Sequence, residues 1–188
     1  MSQPTVSNPA PPSSATPADD IGALGARPRL VLCVVMERAA TQSRWQAFQW
    51  RPIGVLPDDG ARADGTVLVE NEGLLQRLHI GFETALFPDE AEGYFLNISS
   101  PDPRVFVAWR VVEDDPDDVR PYMVTLSYNE AARWMDAQEK VEGVPMPEEI
   151  AVVLAQWVSA NYRPPEKKQR IRPRSFESKE GRYKGGLS

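Results

Sequence analysis

TLSYNEAARWM, residues 125–135, is the stretch that decides the fold class, because the apolar period changes inside it. Upstream, Tyr122 to Leu126 alternate as a strand does. Ser127 followed by Glu130 has the spacing of a capping box, in which the hydroxyl accepts from a free backbone N–H and the glutamate reaches back. A helix is therefore predicted from this point to about Gln138. Beyond VEGVPMP, Pro147 suits a first helical turn and two glutamates complement its positive end. Ile150, Val153, Leu154, Trp157 and Val158 then form one apolar stripe of a second helix.

Working back from residue 125, the signals are those of strands. LVLCVVM, residues 30–36, is apolar at both alternating positions and suits a strand covered on both faces. A second run ends at Val55 and Leu56. From Leu74 the alternation sets Leu74, Leu78, Ile80, Phe82 and Leu86 on one face and Arg77, His79 and Glu83 on the other. Residues 94–98 and 105–112 read as further strands, separated by the turn SSPDPR, and the acidic EDDPDD leads into the strand before Ser127. Short connections favour antiparallel neighbours. The expected fold is α+β: an antiparallel β-meander or partial barrel followed by two C-terminal helices.

The expected boundaries follow from composition. Residues 1–27 are rich in Pro, Ser and Ala and read as a disordered tail. Residues 28–162 form one α+β domain, and residues 163–188 a basic flexible tail. The glycines of IGALG, residues 21–25, precede a strand, whereas a phosphate-cradling turn follows one and opens a helix. The net charge of −6 is uneven: residues 163–188 hold nine Lys/Arg against three Asp/Glu, which leaves 12 against 24 in residues 1–162. An acidic body weighs against nucleic acid as a partner, despite Phe176 and Tyr183 in the basic segment. No apolar run approaches the ~18 residues of a membrane span. With one cysteine and no secretory signal pattern, the expected address is the cytoplasm.

Groups able to carry chemistry are few. His79 is the only histidine and reads as a surface residue; Cys33 is the only cysteine and reads as a buried, inert thiol. A histidine-rich or four-cysteine zinc site is excluded within one chain, and no nucleophile elbow or nucleotide-binding loop occurs. Neither catalytic nor metal residues are assigned, and the expectation leans against an enzyme. Binding is the more promising class. RWQAFQWRPIGVLP, residues 44–57, sets Trp45 and Trp50 among Arg38, Arg44 and Arg51, a composition shared by protein-interaction hot spots. Pro52 points to an edge strand or a bulge. The competing reading has both indoles capping the core while the arginines extend to solvent. Arg110, alone in the apolar VFVAWRVV, must reach an acidic partner, a carbonyl or a ligand.

The segments VVMER, RWQAFQWRPIGVLP, EAEGYFLNISSPDPRVFVAWR, TLSYNEAARWMDAQEKVEGVPMPEEI and NYRPPEKKQRIRPRSF are spread in order across residues 29–176. Across them the chain resembles a bacterial family of uncharacterised proteins that is commonly encoded among formate dehydrogenase genes and often labelled molybdopterin-guanine dinucleotide biosynthesis protein A. The resemblance implies a role in making or regulating a molybdenum or tungsten formate dehydrogenase. The guanylyltransferase of that label opens with a Gly-rich loop on a Rossmann-like domain, which this β-rich front half lacks. A non-enzymatic accessory or maturation factor is the reading that remains, with a formate dehydrogenase subunit or another accessory protein as partner. The alternative is a module that binds molybdopterin guanine dinucleotide or a precursor, with arginines for phosphate and tryptophans for stacking.

Overall fold

The computed structural model describes residues 27–45, 47–112 and 115–164, with the side chains of residues 116 and 117 left out. The expected tails fall outside these residues, apart from Arg27 and residues 163–164. Four strands come first: β1 (Arg29–Ala40), β2 (Phe48–Pro57), β3 (Thr66–Asn71) and β4 (Leu74–Ala85). A short turn of 3-10 helix at Pro88–Glu90 leads into α1 (Ala91–Ile98). Then follow β5 (Arg104–Val112), β6 (Asp115–Thr125), α2 (Tyr128–Asp136), β7 (Val141–Pro145) and α3 (Glu148–Asn161).

The expected α+β class is what the structure has, in the form of two open antiparallel sheets with orders β2-β1-β4-β3 and β6-β5-β7. β2 lies against β7 and β4 against β6, so the inner faces of the two sheets share one core. Leu32, Val34 and Met36 from β1, Val105 and Val107 from β5, and Ile150, Leu154 and Val158 from α3 meet there. The α3 stripe is the predicted one, with Trp157 edge-on to Tyr94 of α1 at 5.4 Å.

Two bulges decide which side chains enter that core. Val35 faces Gly54 while Met36 faces Pro52, so Ile53 is the extra residue on β2, at the edge of its sheet as Pro52 suggested. On β4 the register shifts between Leu32, opposite Phe82, and Val34, opposite His79; Gly81 within the bulge has φ +82°, a conformation glycine adopts without steric cost. The extra residue reverses the faces of the strand. Leu78 and Ile80 lie with Cys33, Val35 and Ile53 in a small outer cluster, whereas Phe82 and Leu86 join the main core. The face drawn through all of them from sequence alternation is thus split in two, and His79 turns inward: it is buried, not a surface histidine.

Residues 94–98 are a helix rather than a strand. α1 owes its place to a joint with α2. A Cβ on Gly93 would lie 2.1 Å from Ser127 Oγ, so only glycine allows the two helices to approach. Ser127 Oγ accepts from Glu130 N at 3.1 Å, which is the predicted cap, and donates to Glu90 Oε2 at 2.6 Å. Glu130 does not return to the backbone itself. Its Oε2 accepts from Thr125 Oγ1 at 2.5 Å, and that hydroxyl accepts from Ser127 N at 3.0 Å, so threonine relays the second half of the box. Arg133 pairs with Glu90 to close the joint.

Candidate functional site

The paired ends of β1 and β2 carry most of the residues singled out above. Antiparallel register sets Glu37 opposite Arg51 and Gln76, and Arg38 opposite Trp50. Alternation then sorts them onto two faces. On the outer face Glu37 Oε1 accepts from Arg51 Nε at 3.2 Å and Nη2 at 2.9 Å, while its Oε2 accepts from Gln76 Nε2 at 2.9 Å. The Gln76 hydrogen bond and, after it, Arg51 hold the Glu37 carboxyl below its ordinary range, against the opposing effect of burial. Arg51 is therefore engaged in a structural pair.

On the other face the Arg38 guanidinium lies 4.6 Å from the centroid of Phe48 and 5.9 Å from that of Trp50. Trp50 itself is only 6% exposed and belongs to the main core. Its Nε1 is buried with no hydrogen-bond partner among the described residues. Trp45 is the opposite case. It sits in the turn between β1 and β2, 96% exposed, next to the exposed Arg44. The turn is held by its backbone: Thr41 N donates to Ala47 O at 2.9 Å, and Trp45 N donates to Ser43 Oγ at 3.2 Å. The order of this turn owes nothing to the indole. Phe48, partly exposed beneath Arg38, extends the aromatic surface. Its signal in the sequence was its parity with Trp50, which places it on the same face two residues nearer the turn.

Arg110 is not brought to this end. It is exposed on β5, with its guanidinium 4.9 Å from the centroid of Tyr122 on β6. The Tyr122 hydroxyl donates to Glu139, and burial together with that carboxylate pushes its pKa up to about 12. The partner that Arg110 needed is thus an aromatic face.

Two further titratable groups, His79 and Cys33, are buried. His79 Nδ1 lies 3.5 Å from Asp64 Oδ1, and its Nε2 is buried without a partner among the described residues. Burial depresses its pKa, with Asp64 opposing. Cys33 is buried, and burial followed by Asp58 raises its thiol to about 11, so it carries no thiolate at neutral pH. Ser127 is fully buried in the α1–α2 joint, closed to any substrate. No group of three or more His, Cys, Asp or Glu among the described residues could hold a metal ion. Of three cavities bounded by described residues, of about 330, 230 and 260 Å³, none includes Arg38, Arg44, Trp45, Trp50, Arg51 or Arg110.

No helix among the described residues is long and apolar enough to cross a membrane. Residues 31–172 match a family described as "Protein of unknown function (DUF3305)", and the match spans well over half the chain. The chain belongs to that family. No curated protein and no solved structure matches it.

Proposed function

We propose that this member of the family is a cytoplasmic, non-enzymatic accessory or maturation factor for a molybdenum or tungsten formate dehydrogenase, and that it acts by binding protein through the β1–β2 turn. The observation that carries the binding surface is the Trp45 indole, 96% exposed beside Arg44 in the turn that joins the strands bearing Arg38 and Phe48. An indole left in water contributes nothing to folding, whereas burying it against a partner gains free energy in proportion to the apolar area removed from solvent. Tryptophan and arginine also lead the residues that dominate interfaces. The enzyme as client rests on the resemblance described above. The partner is a formate dehydrogenase subunit or a second accessory protein.

Pull-down of a formate dehydrogenase subunit by the wild-type chain and by Trp45→Ala tests the surface, since Trp45 can be removed without opening the core. Loss of capture by the variant is the expected result, and equal recovery would reject the turn as the binding site. Deleting the gene tests the role, because unchanged formate oxidation and molybdenum content in the same cells would remove the maturation reading. Calorimetry with molybdopterin guanine dinucleotide separates this function from cofactor binding: no heat is expected.

A further inference from the structure

A cleft of about 260 Å³ lies between the end of β4, β6 and α2, and four aromatic side chains line it: Phe82, Phe87, Tyr122 and Trp134. Two carboxylates, Glu83 and Glu130, share its walls. Aromatic faces are negative and attract cations, and two of these rings already carry one. The Arg27 guanidinium lies 4.9 Å from the centroid of Phe87, and that of Arg110 lies 4.9 Å from the centroid of Tyr122. Glu83 is likewise taken, by Arg29 at 3.6 Å. Phe82, Trp134 and Glu130 meet no cation among the described residues.

Glu130 and Trp134 stand at positions i and i+4 of α2, so their side chains emerge next to each other on one face of the helix. The carboxylate is held in place, because its Oε2 accepts from Oγ1 of the buried Thr125 at 2.5 Å. No donor among the described residues reaches Oε1. An indole face beside an oriented carboxylate oxygen supplies both things a flat cation needs, a surface to stack on and an acceptor for one N–H. A guanidinium suits this better than an ammonium, since it is planar and more weakly hydrated, and the neighbouring rings already hold guanidinium groups. The volume is below the roughly 300–1,000 Å³ of pockets that enclose whole ligands, which favours a single side chain as the occupant. The acidic balance of residues 1–162, 24 against 12, draws such a cation in.

We propose that this cleft receives an arginine side chain of a protein partner, its guanidinium lying on Trp134 and donating to Glu130 Oε1. It is a second contact beside the one proposed above, and a separate one. The cleft is at the Arg29 end of β1, where Arg29 pairs with Ala85, whereas the Trp45 turn follows the Ala40 end. Either contact can therefore fail without the other.

Titration of the full chain with N-acetyl-arginine methylamide, followed by NMR at the Trp134 indole N–H and the Met123 methyl, tests the site. A saturable shift is expected, with a Kd on the order of 10 mM for one cation–π contact and one charge-assisted hydrogen bond, while the Trp45 indole does not move. The citrulline analogue has the same shape without the charge and should give no saturable shift. Glu130→Gln keeps an acceptor for Thr125 and should weaken binding at least about tenfold. Trp134→Leu, read at Met123, leaves the Glu130–Thr125 contact in place and should weaken binding as well. No shift at tenfold the expected Kd would overturn the proposal, as would equal binding of the citrulline analogue or unchanged affinity in either variant.

Discussion

Trp45 and Trp50 lie five residues apart on one hairpin and belong to different parts of the molecule: the base of the hairpin is core, and its tip is surface. At the base the side chains are taken up in packing and pairing. Trp50 packs with Leu75 and Val55 in the main cluster, and Glu37 collects hydrogen bonds from Arg51 and Gln76. At the tip the backbone makes the turn and the side chains of Arg44 and Trp45 are left to water. An aromatic cluster in a sequence is thus not one site. What separates the two indoles is which of them the fold has already consumed, and variants at the base and the tip should differ accordingly.

The largest effect is expected at the base. Trp50→Ala removes a large side chain from the main core and leaves a cavity, and should cost about 3–5 kcal/mol, read from the urea unfolding midpoint. A loss as small as that of an ordinary surface substitution would mean that Trp50 does not support the core. Next comes Gly93→Ala, which extends the contrast to the α1–α2 joint. Helix propensity alone would favour alanine, but its Cβ would meet Ser127 Oγ and lie 3.1 Å from the backbone N of Asn129, so α2 must shift. A loss of about 1–3 kcal/mol is expected, and a gain would show that the joint is looser than its geometry.

How much of this was legible follows from the physics of each element. The Ser127 cap and the α3 stripe are local signals, and the structure has both, although Glu130 reaches Thr125 rather than the backbone. α1 differs from the predicted strand: its run YFLNI is apolar enough for either, and the helical spacing of Ala91, Tyr94, Phe95 and Ile98 is the pattern the structure follows. β3 and β7 are short, and β3 is largely exposed, so they carry little apolar pattern. His79 lies on the other face from the one alternation predicts, because the bulge at Gly81 reverses the parity of everything beyond it and no local apolar pattern announces that bulge. For the candidate site, strand parity tied Phe48 to Trp50 but could not say that the strand stops before Trp45.

Acid should separate base from tip a third way. The folded pKa of His79 is depressed below 6.5, so its contribution to stability is full above 6.5 and is lost as pH falls through that value toward the folded one. Glu37, depressed below 4.5, contributes fully above 4.5 and loses its contribution as pH falls further. Stability measured against pH should therefore decline in two stages. His79→Leu removes the upper stage and Glu37→Gln the lower. If both variants kept the wild-type profile, neither buried group would be coupled to folding.

The smallest effect on stability belongs to the tip. Trp45→Ala removes a side chain with almost no contact area, from a turn whose hydrogen bonds come from the backbone and from Ser43 and Thr41. Its unfolding midpoint should stay within about 0.5 kcal/mol of wild type. The residue should be the tryptophan most readily quenched by iodide in the free protein, because nothing shields it, and that quenching should fall when a partner is bound. A Trp45 that is protected in the isolated chain would mean that the tip already has an occupant, and the difference between the two indoles would then be one of partner rather than of exposure.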